Sequence, residues 1–273
     1  MSLPVDRPSS GASWSPTLKS PTSRPGWSLD TKNDTKYDGL LVGPNKVGTD
    51  QVDSFLPSNG AEVQGSLVMV NGIMTDLELQ RADLQAMADN GFEVVGVHNA
   101  TEGLLSDLGQ ALADKANLGK NRAVDTTVEM IERSLSHETP LHLVGHSQGA
   151  LIISRAISKV SKKLSGEGLD AKQVRSELAP ITVTSLGGAA WTYPEGPTYH
   201  HYYNDKDVVP MLLGRPLAAN LGQQENETLY RFSEVNPTAE LPPASESLEN
   251  RLARDTDQRV HGVQEIYLAR FGS

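Results

Sequence analysis

The stretch Leu141–Ile157, LHLVGHSQGALIISRAI, constrains this chain more than any other. Its mostly apolar start, LHLV, predicts a buried strand of the kind found in parallel sheets. Five residues follow, Gly145-His146-Ser147-Gln148-Gly149, in the pattern G-x-S-x-G. An apolar helical pattern starts directly after them. In a strand–turn–helix setting this pattern has mechanical meaning. The glycines let the strand reverse sharply into the helix, and the serine is held at the tip. The helix N-terminus brings backbone N–H groups and a positive dipole end beside it. The bland alternative is a Gly-rich turn with an incidental serine. The flanking strand and helix favour the nucleophile.

The rest of the chain repeats the alternation. GSLVMVNG, with Leu67 to Val70 apolar, predicts a strand. Leu77 to Asn90 reads as a helix with Leu77, Leu84, Met87 and Ala88 on one face, and Gly91 as its stop. FEVVGVHN is a second strand. Residues 103–117 and 122–136 read as helices, the first on Leu104, Leu105, Leu108, Ala111 and Leu112, the second on Val124, Val128, Ile131 and Leu135. LHLVG is the third strand, and a short helix near 170–178 follows the long one. ITVTSLGG, TYHHYYN and ETLYRFSEV complete six strands. A helix near Val263–Phe271 closes the chain. Strands alternating with helices predict an α/β fold with a mostly parallel sheet, helices on both faces and right-handed crossovers. Functional groups then gather at the carboxyl ends of the strands. Residues 1–38 read as a flexible Ser/Pro-rich arm, and 39–273 as one α/β domain.

Composition removes whole classes of function. With 273 residues, 37% hydrophobic and 21% charged, the chain can bury a sizeable core. A formal net charge of -10 gives no support to nucleic-acid binding, which needs clustered Lys and Arg. The absence of cysteine excludes disulfides, a cysteine nucleophile and thiolate metal sites. The N-terminus has no apolar signal-peptide core, and no segment reaches the roughly 18 apolar residues of a membrane span. The expectation is a cytoplasmic protein, or one exported by a route independent of a signal peptide.

A serine hydroxyl attacks only when a base takes its proton and an acid orients that base. The acid candidates are Asp205 and Asp207, both after the fifth strand. Asp207 precedes Val208-Val209-Pro210, where the chain turns back into apolar packing, so it is favoured as the acid. Asp205 lies nearer the strand end and can shape the turn instead. Of the seven histidines, His261 follows the last strand and alone leaves the order Ser…Asp…His. His146 is held by the turn itself. His142, His200 and His201 lie within strands, His137 in a loop and His98 ahead of the serine. The oxyanion needs two backbone donors. The N–H of Gln148 is one. Ile73, in the loop after GSLVMV, is the first choice for the other and Met74 the second. Thr75 or Asp76 can cap the helix that follows. No metal and no cofactor is required.

Ser147, Asp207 and His261, in this order and on these elements, resemble the α/β-hydrolase superfamily from about residue 39 onward. GHSQG is similar to the elbows of lipases and esterases, and DVVP to the D-[IV]-V-P stretch of triacylglycerol lipases. VNGIMT…VHNATEGLLSDL resembles lipase-like domains of bacterial effectors. The chain departs from the lipase pattern at Asn71, where a His before Gly is usual. The resemblance implies a carboxylic-ester hydrolase of lipase, esterase or phospholipase type, acting through an acyl-enzyme. Thioester cleavage, acyl transfer or a silent binding module on the same fold are the alternatives. Only about ten residues separate the fourth and fifth strands, so no large cap domain fits there. Cover must come from residues 99–121 or from the apolar loop VVPMLLGRPLAANLG. Met74, Met211, Leu212, Leu213 and Leu217 can line an acyl pocket, or the last four can pack as a core helix. Trp191 and Tyr193 can add aromatic walls. The expected partner is a small-molecule or lipid ester, with transient contact to a lipid surface.

Overall fold

A computed structural model describes residues 34–73, 75–100, 121–218, 224–235 and 260–268. The expected helix at 103–117, Met74, nearly all of the cover segment at 99–121, the side chain of Leu217 and most of the N-terminal arm lie outside the described residues. Eight strands form one sheet in the order β2-β1-β4-β3-β5-β6-β7-β8. The six expected strands are β3 (Gly65–Val70), β4 (Phe92–Val97), β5 (Leu141–His146), β6 (Ile181–Leu186), β7 (Thr198–Asn204) and β8 (Glu227–Phe232). All six run parallel. A small antiparallel hairpin, β1 (Leu41–Val42) and β2 (Val47–Gly48), extends the sheet beyond β4. It was not expected: strands of two residues carry no readable period.

The helices are α1 (Leu77–Ala88), α2 (Arg122–Ser136), α3 (Gln148–Gly166), α4 (Ala171–Leu178), α5 (Val208–Leu213) and α6 (Arg215–Ala218). A π-helical turn spans Val263–Tyr267. The starts of α1, α2 and α4 are capped by Asp76, Asn121 and Asp170, whose side chains accept otherwise unpaired N–H groups. Gly91 ends the first helical stretch at φ +91, a conformation that needs glycine. Both sheet faces are buried. Val68, Val70, Leu143, Val183 and Tyr199 pack with Val124 and Ile131 of α2 and Ile153 and Ile157 of α3. Leu67, Met69, Val144 and Leu186 pack on the other face with Leu84 and Met87 of α1 and Ile266 and Tyr267 of the π-helical turn. This is the expected α/β architecture, with helices on both faces of a mostly parallel sheet.

The strand order fixes where a site can form. β3 lies between β4 and β5, so the chain leaves β3 toward one side and later returns on the other. Such a switch point opens a crevice at the carboxyl ends of the strands. The loop Asn71–Ile73 and Ser147 both sit at that crevice. The residues after Asp207, read from sequence as a loop or a core helix, form α5 and α6.

Candidate active site

Ser147 joins β5 to α3 with φ 52 and ψ -120, outside the regions that L residues ordinarily occupy. Three backbone hydrogen bonds hold it there. Its N–H donates to the Leu186 carbonyl at 3.1 Å, and its own carbonyl accepts from Ala150 at 3.2 Å and Ala189 at 3.0 Å. The flanking glycines are steric necessities. A Cβ on Gly145 would lie 2.6 Å from the Ala150 nitrogen, and one on Gly149 would collide with the Val70 carbonyl. A Cβ on Gly72 would lie 2.9 Å from that of Ser147. The turn after β3 is thus pressed against the serine.

Asp207 caps α5 and is fully buried. Its Oδ1 accepts from the Val209 N–H at 2.9 Å. Its Oδ2 accepts from His261 Nδ1 at 2.5 Å and from the Tyr267 hydroxyl at 2.7 Å. With Nδ1 donating to the carboxylate, Nε2 of His261 is the basic nitrogen; the tautomer follows from these partners. Asp205, the rival acid, points to the surface and pairs with Arg231 at 3.1 Å. A hydrogen bond from the Ser233 side chain, with help from Arg231, holds its carboxyl below the usual range.

His261 is tied to the elbow from two directions. Its carbonyl accepts from His146 Nε2 at 2.8 Å, and the two rings lie 4.5 Å apart. A Cβ on Gly187, beside the Leu186 that holds Ser147, would lie 2.9 Å from His261 Cε1. Asp207 and His261 are therefore paired, and His261 packs against the elbow that carries Ser147, near the ends of β5, β6 and β7. Burial pushes the His146 imidazole well below its ordinary pKa, so it stays neutral while holding the His261 backbone. His142 pairs with Thr184 and His98 with Gln80.

The departure at Asn71 has a clear structural role. Its amide donates to the Asn99 carbonyl at 3.0 Å and to that of Gly72 at 2.9 Å, and it accepts from the Asn99 N–H at 2.7 Å. The Asn99 side chain then donates to Gln148 Oε1 at 2.8 Å. An amide can donate and accept toward one backbone at once; an imidazole lacks that geometry. This buried chain locks the loops after β3 and β4 to the elbow, where the expected donors Ile73 and Gln148 sit. Asn71→Ala leaves buried polar groups unpaired at a cost of about 1–3 kcal/mol. Thermal unfolding should register that loss.

A second buried network was also missed. Ser185 Oγ contacts His201 Nδ1 at 2.7 Å, and His201 Nε2 lies 3.3 Å from Glu227. Glu227 takes both arms of Arg215, which begins α6. Burial raises the Glu227 pKa, but the bonds from His201 and Arg215 overcome it and bring it down to about 2. The pair fastens α6 to β8, and so the segment that starts at Asp207. The sequence shows these residues only as strand and helix members, with nothing to mark them as partners.

Ile73 and Leu213 pack on Ala189 and Val209, forming a small apolar cluster at the crevice. Met211 is half-buried, while Leu212 is 62% exposed and Trp191 52% exposed. Tyr193, expected as a pocket wall, is a core residue instead. It packs against Tyr199 and His201, with ring centroids 5.0 and 4.6 Å away, among the buried residues of the core. Among the described residues, no group of three or more His, Asp or Glu could hold a metal ion, and no helix is long and apolar enough to cross a membrane.

A family model described as "Putative serine esterase (DUF676)" matches residues 65–189, from β3 through the elbow to the loop after β6. Asp207 and His261 lie beyond that stretch. No curated protein matches the chain. Among solved structures, TT1662 from Thermus thermophilus is 16% identical, over 65% of this chain and 82% of its own, with a TM-score of 0.39. Esterase PE8 is 16% identical, over 67% and 90%, with a TM-score of 0.36. An esterase from Pyrobaculum calidifontis is 8% identical, over 64% and 68%, with a TM-score of 0.37.

Proposed function

We propose that this α/β-hydrolase cleaves carboxylic esters through Ser147, His261 and Asp207, by way of an acyl-enzyme. One observation carries the reading: a serine held in a strained elbow beside a buried His261–Asp207 pair whose bond is 2.5 Å long. The serine-esterase family match over residues 65–189 supports a hydrolase in general.

In this mechanism His261 Nε2 takes the Ser147 proton as Oγ attacks the ester carbonyl. Asp207 keeps the imidazole in the required tautomer and stabilises its cation. The N–H groups of Gln148 and Ile73 bind the developing oxyanion, aided by the positive end of α3. His261 then protonates the leaving alcohol. Water, activated by the same imidazole, releases the acid. Ile73, Ala189, Val209 and Leu213 supply an apolar wall for the acyl group.

The test is a panel of p-nitrophenyl esters from acetate to palmitate, with an acyl thioester alongside. The wild type should turn over at least one oxygen ester, and Ser147→Ala none above background. Preferential cleavage of the thioester would move the reading to thioesterase. No turnover of any member by wild type would end it.

A further inference from the structure

We infer that Tyr267 is a fourth member of the Ser147–His261–Asp207 set, a positioning residue that acts through Asp207. The inference rests on the proposed triad. Tyr267 is fully buried, and its hydroxyl lies 2.7 Å from Asp207 Oδ2. That is the same oxygen to which His261 Nδ1 donates. The direction of the phenol's proton is also set. Its oxygen lies 3.4 Å from the Asn204 N–H, which donates to it, so its own O–H is directed at the carboxylate.

The surroundings are shaped to admit this contact. Gly187 has φ +56, and a Cβ there would lie 2.7 Å from the Tyr267 oxygen and 2.9 Å from His261 Cε1. Only glycine leaves room for both groups. The π-helical turn supplies the placement: Leu268 N–H bonds the Val263 carbonyl at 2.9 Å, five residues back. The wider turn brings Tyr267 under His261, edge to face at 6.2 Å and 89°. Single π turns are frequent at functional sites. A tyrosine that merely filled the core could satisfy its hydroxyl on a backbone carbonyl. This one spends it on the orienting acid.

The chemical consequence has a definite sign. A donor on Oδ2 takes up part of the negative charge that would otherwise attract the imidazolium. Removing it strengthens that attraction, so the His261 pKa rises. Activity requires neutral His261, so the acid limb of kcat/KM moves to higher pH. Among the described residues, the titratable groups facing the imidazole are Asp207 from the β7–α5 turn, Tyr267 from the π-helical turn and His146 from β5. Asp83 on α1 reaches the same turn by accepting from Gln264 at 2.7 Å. Burial, and then the nearby Asp207 charge, push the Tyr267 phenol up, and burial holds His146 neutral. Neither changes charge while His261 titrates.

The experiment is a nitrogen-15 NMR titration of the histidines in the full chain, assigned with His261→Ala. Tyr267→Phe should raise the His261 pKa by roughly 0.5–1 unit, and the acid limb of ester hydrolysis by the same amount. On an Asp207→Asn background the same change should add no shift. Site-specific 3-fluorotyrosine at Tyr267 keeps the ring and donates more strongly, so it should lower the pKa. That variant decides the matter if the Phe protein does not fold. An unmoved His261 pKa in the Phe or the fluorotyrosine protein overturns the inference, whatever happens to stability. The titration needs no substrate, so it separates this coupling from the hydrolase reading: absent esterase activity with a shifted imidazole would sink only the latter.

Discussion

Asp207→Asn should lower kcat by about 10⁴-fold, while Asp205→Asn leaves it within about two-fold. The contrast follows from what each carboxylate touches. Asp207 accepts from Val209, His261 and Tyr267 with no exposure to solvent. An amide there offers one acceptor oxygen in place of two. Whichever way it turns, its NH₂ group faces a donor. If it faces His261 Nδ1, the imidazole adopts the wrong tautomer, and its proton sits on the nitrogen meant to act as base. KM should change far less than kcat, since no substrate contact is lost. Asp205 is a partly exposed residue whose partner is the exposed Arg231, and water replaces such a pair readily. Steady-state kinetics on the best ester of the panel decides the point. A larger loss at Asp205 would contradict the assignment.

Ser147→Gly should abolish turnover, by about 10⁵–10⁶-fold, and yet make the fold more stable. At φ 52 and ψ -120 the serine backbone is held against its own preference, a strain of order 1–3 kcal/mol. Glycine occupies that region freely. Against this stands the entropy that an added glycine gives the unfolded chain, about 0.5–1 kcal/mol. The net gain should raise Tm by roughly 2–4 °C in a chain of this size. Ser147→Ala keeps the Cβ and therefore the strain, so its Tm should stay near that of wild type. Calorimetry on the three proteins reads this directly. A Ser147→Gly protein that melts earlier would show that the elbow stores no strain.

Much of this architecture was legible because parallel strands buried on both faces appear as mostly apolar stretches. β3, β4 and β5 each carry one, and each is followed by a residue of the candidate site: Asn71, Asn99 and Ser147. The pairing of Asp207 with His261 was anticipated by the Val-Val-Pro that turns the chain back into the interior after Asp207, and by the chain order that singled out His261. Other parts were hidden for physical reasons. The β1–β2 hairpin is too short to show alternation. The pairing of Asn71 with Asn99 depends on the register that sets Val70 beside Val97, which no local pattern encodes. Tyr267 stands six residues after His261 in a π-helical turn, at a spacing that the helix expected there would not bring to one face. His201 could be read as a strand residue, but not which face it occupied, so its contact with Ser185 and Glu227 stayed out of sight. Tyr193 was misplaced because an aromatic in a Pro/Gly-rich loop reads as surface, while here it is drawn into the core by Tyr199.

Ser147 should be the residue that takes up the acyl group. Intact-mass spectrometry after brief reaction with a fluorophosphonate tests it most directly, with the adduct then located by peptide mapping. Wild type and Asp205→Asn should each gain one adduct, on the peptide holding Gly145-His146-Ser147-Gln148-Gly149. His261→Ala should label far more slowly, and Ser147→Ala not at all. Stoichiometric labelling of Ser147→Ala, or an adduct on any other serine of the wild type, would show that Ser147 is not the nucleophile.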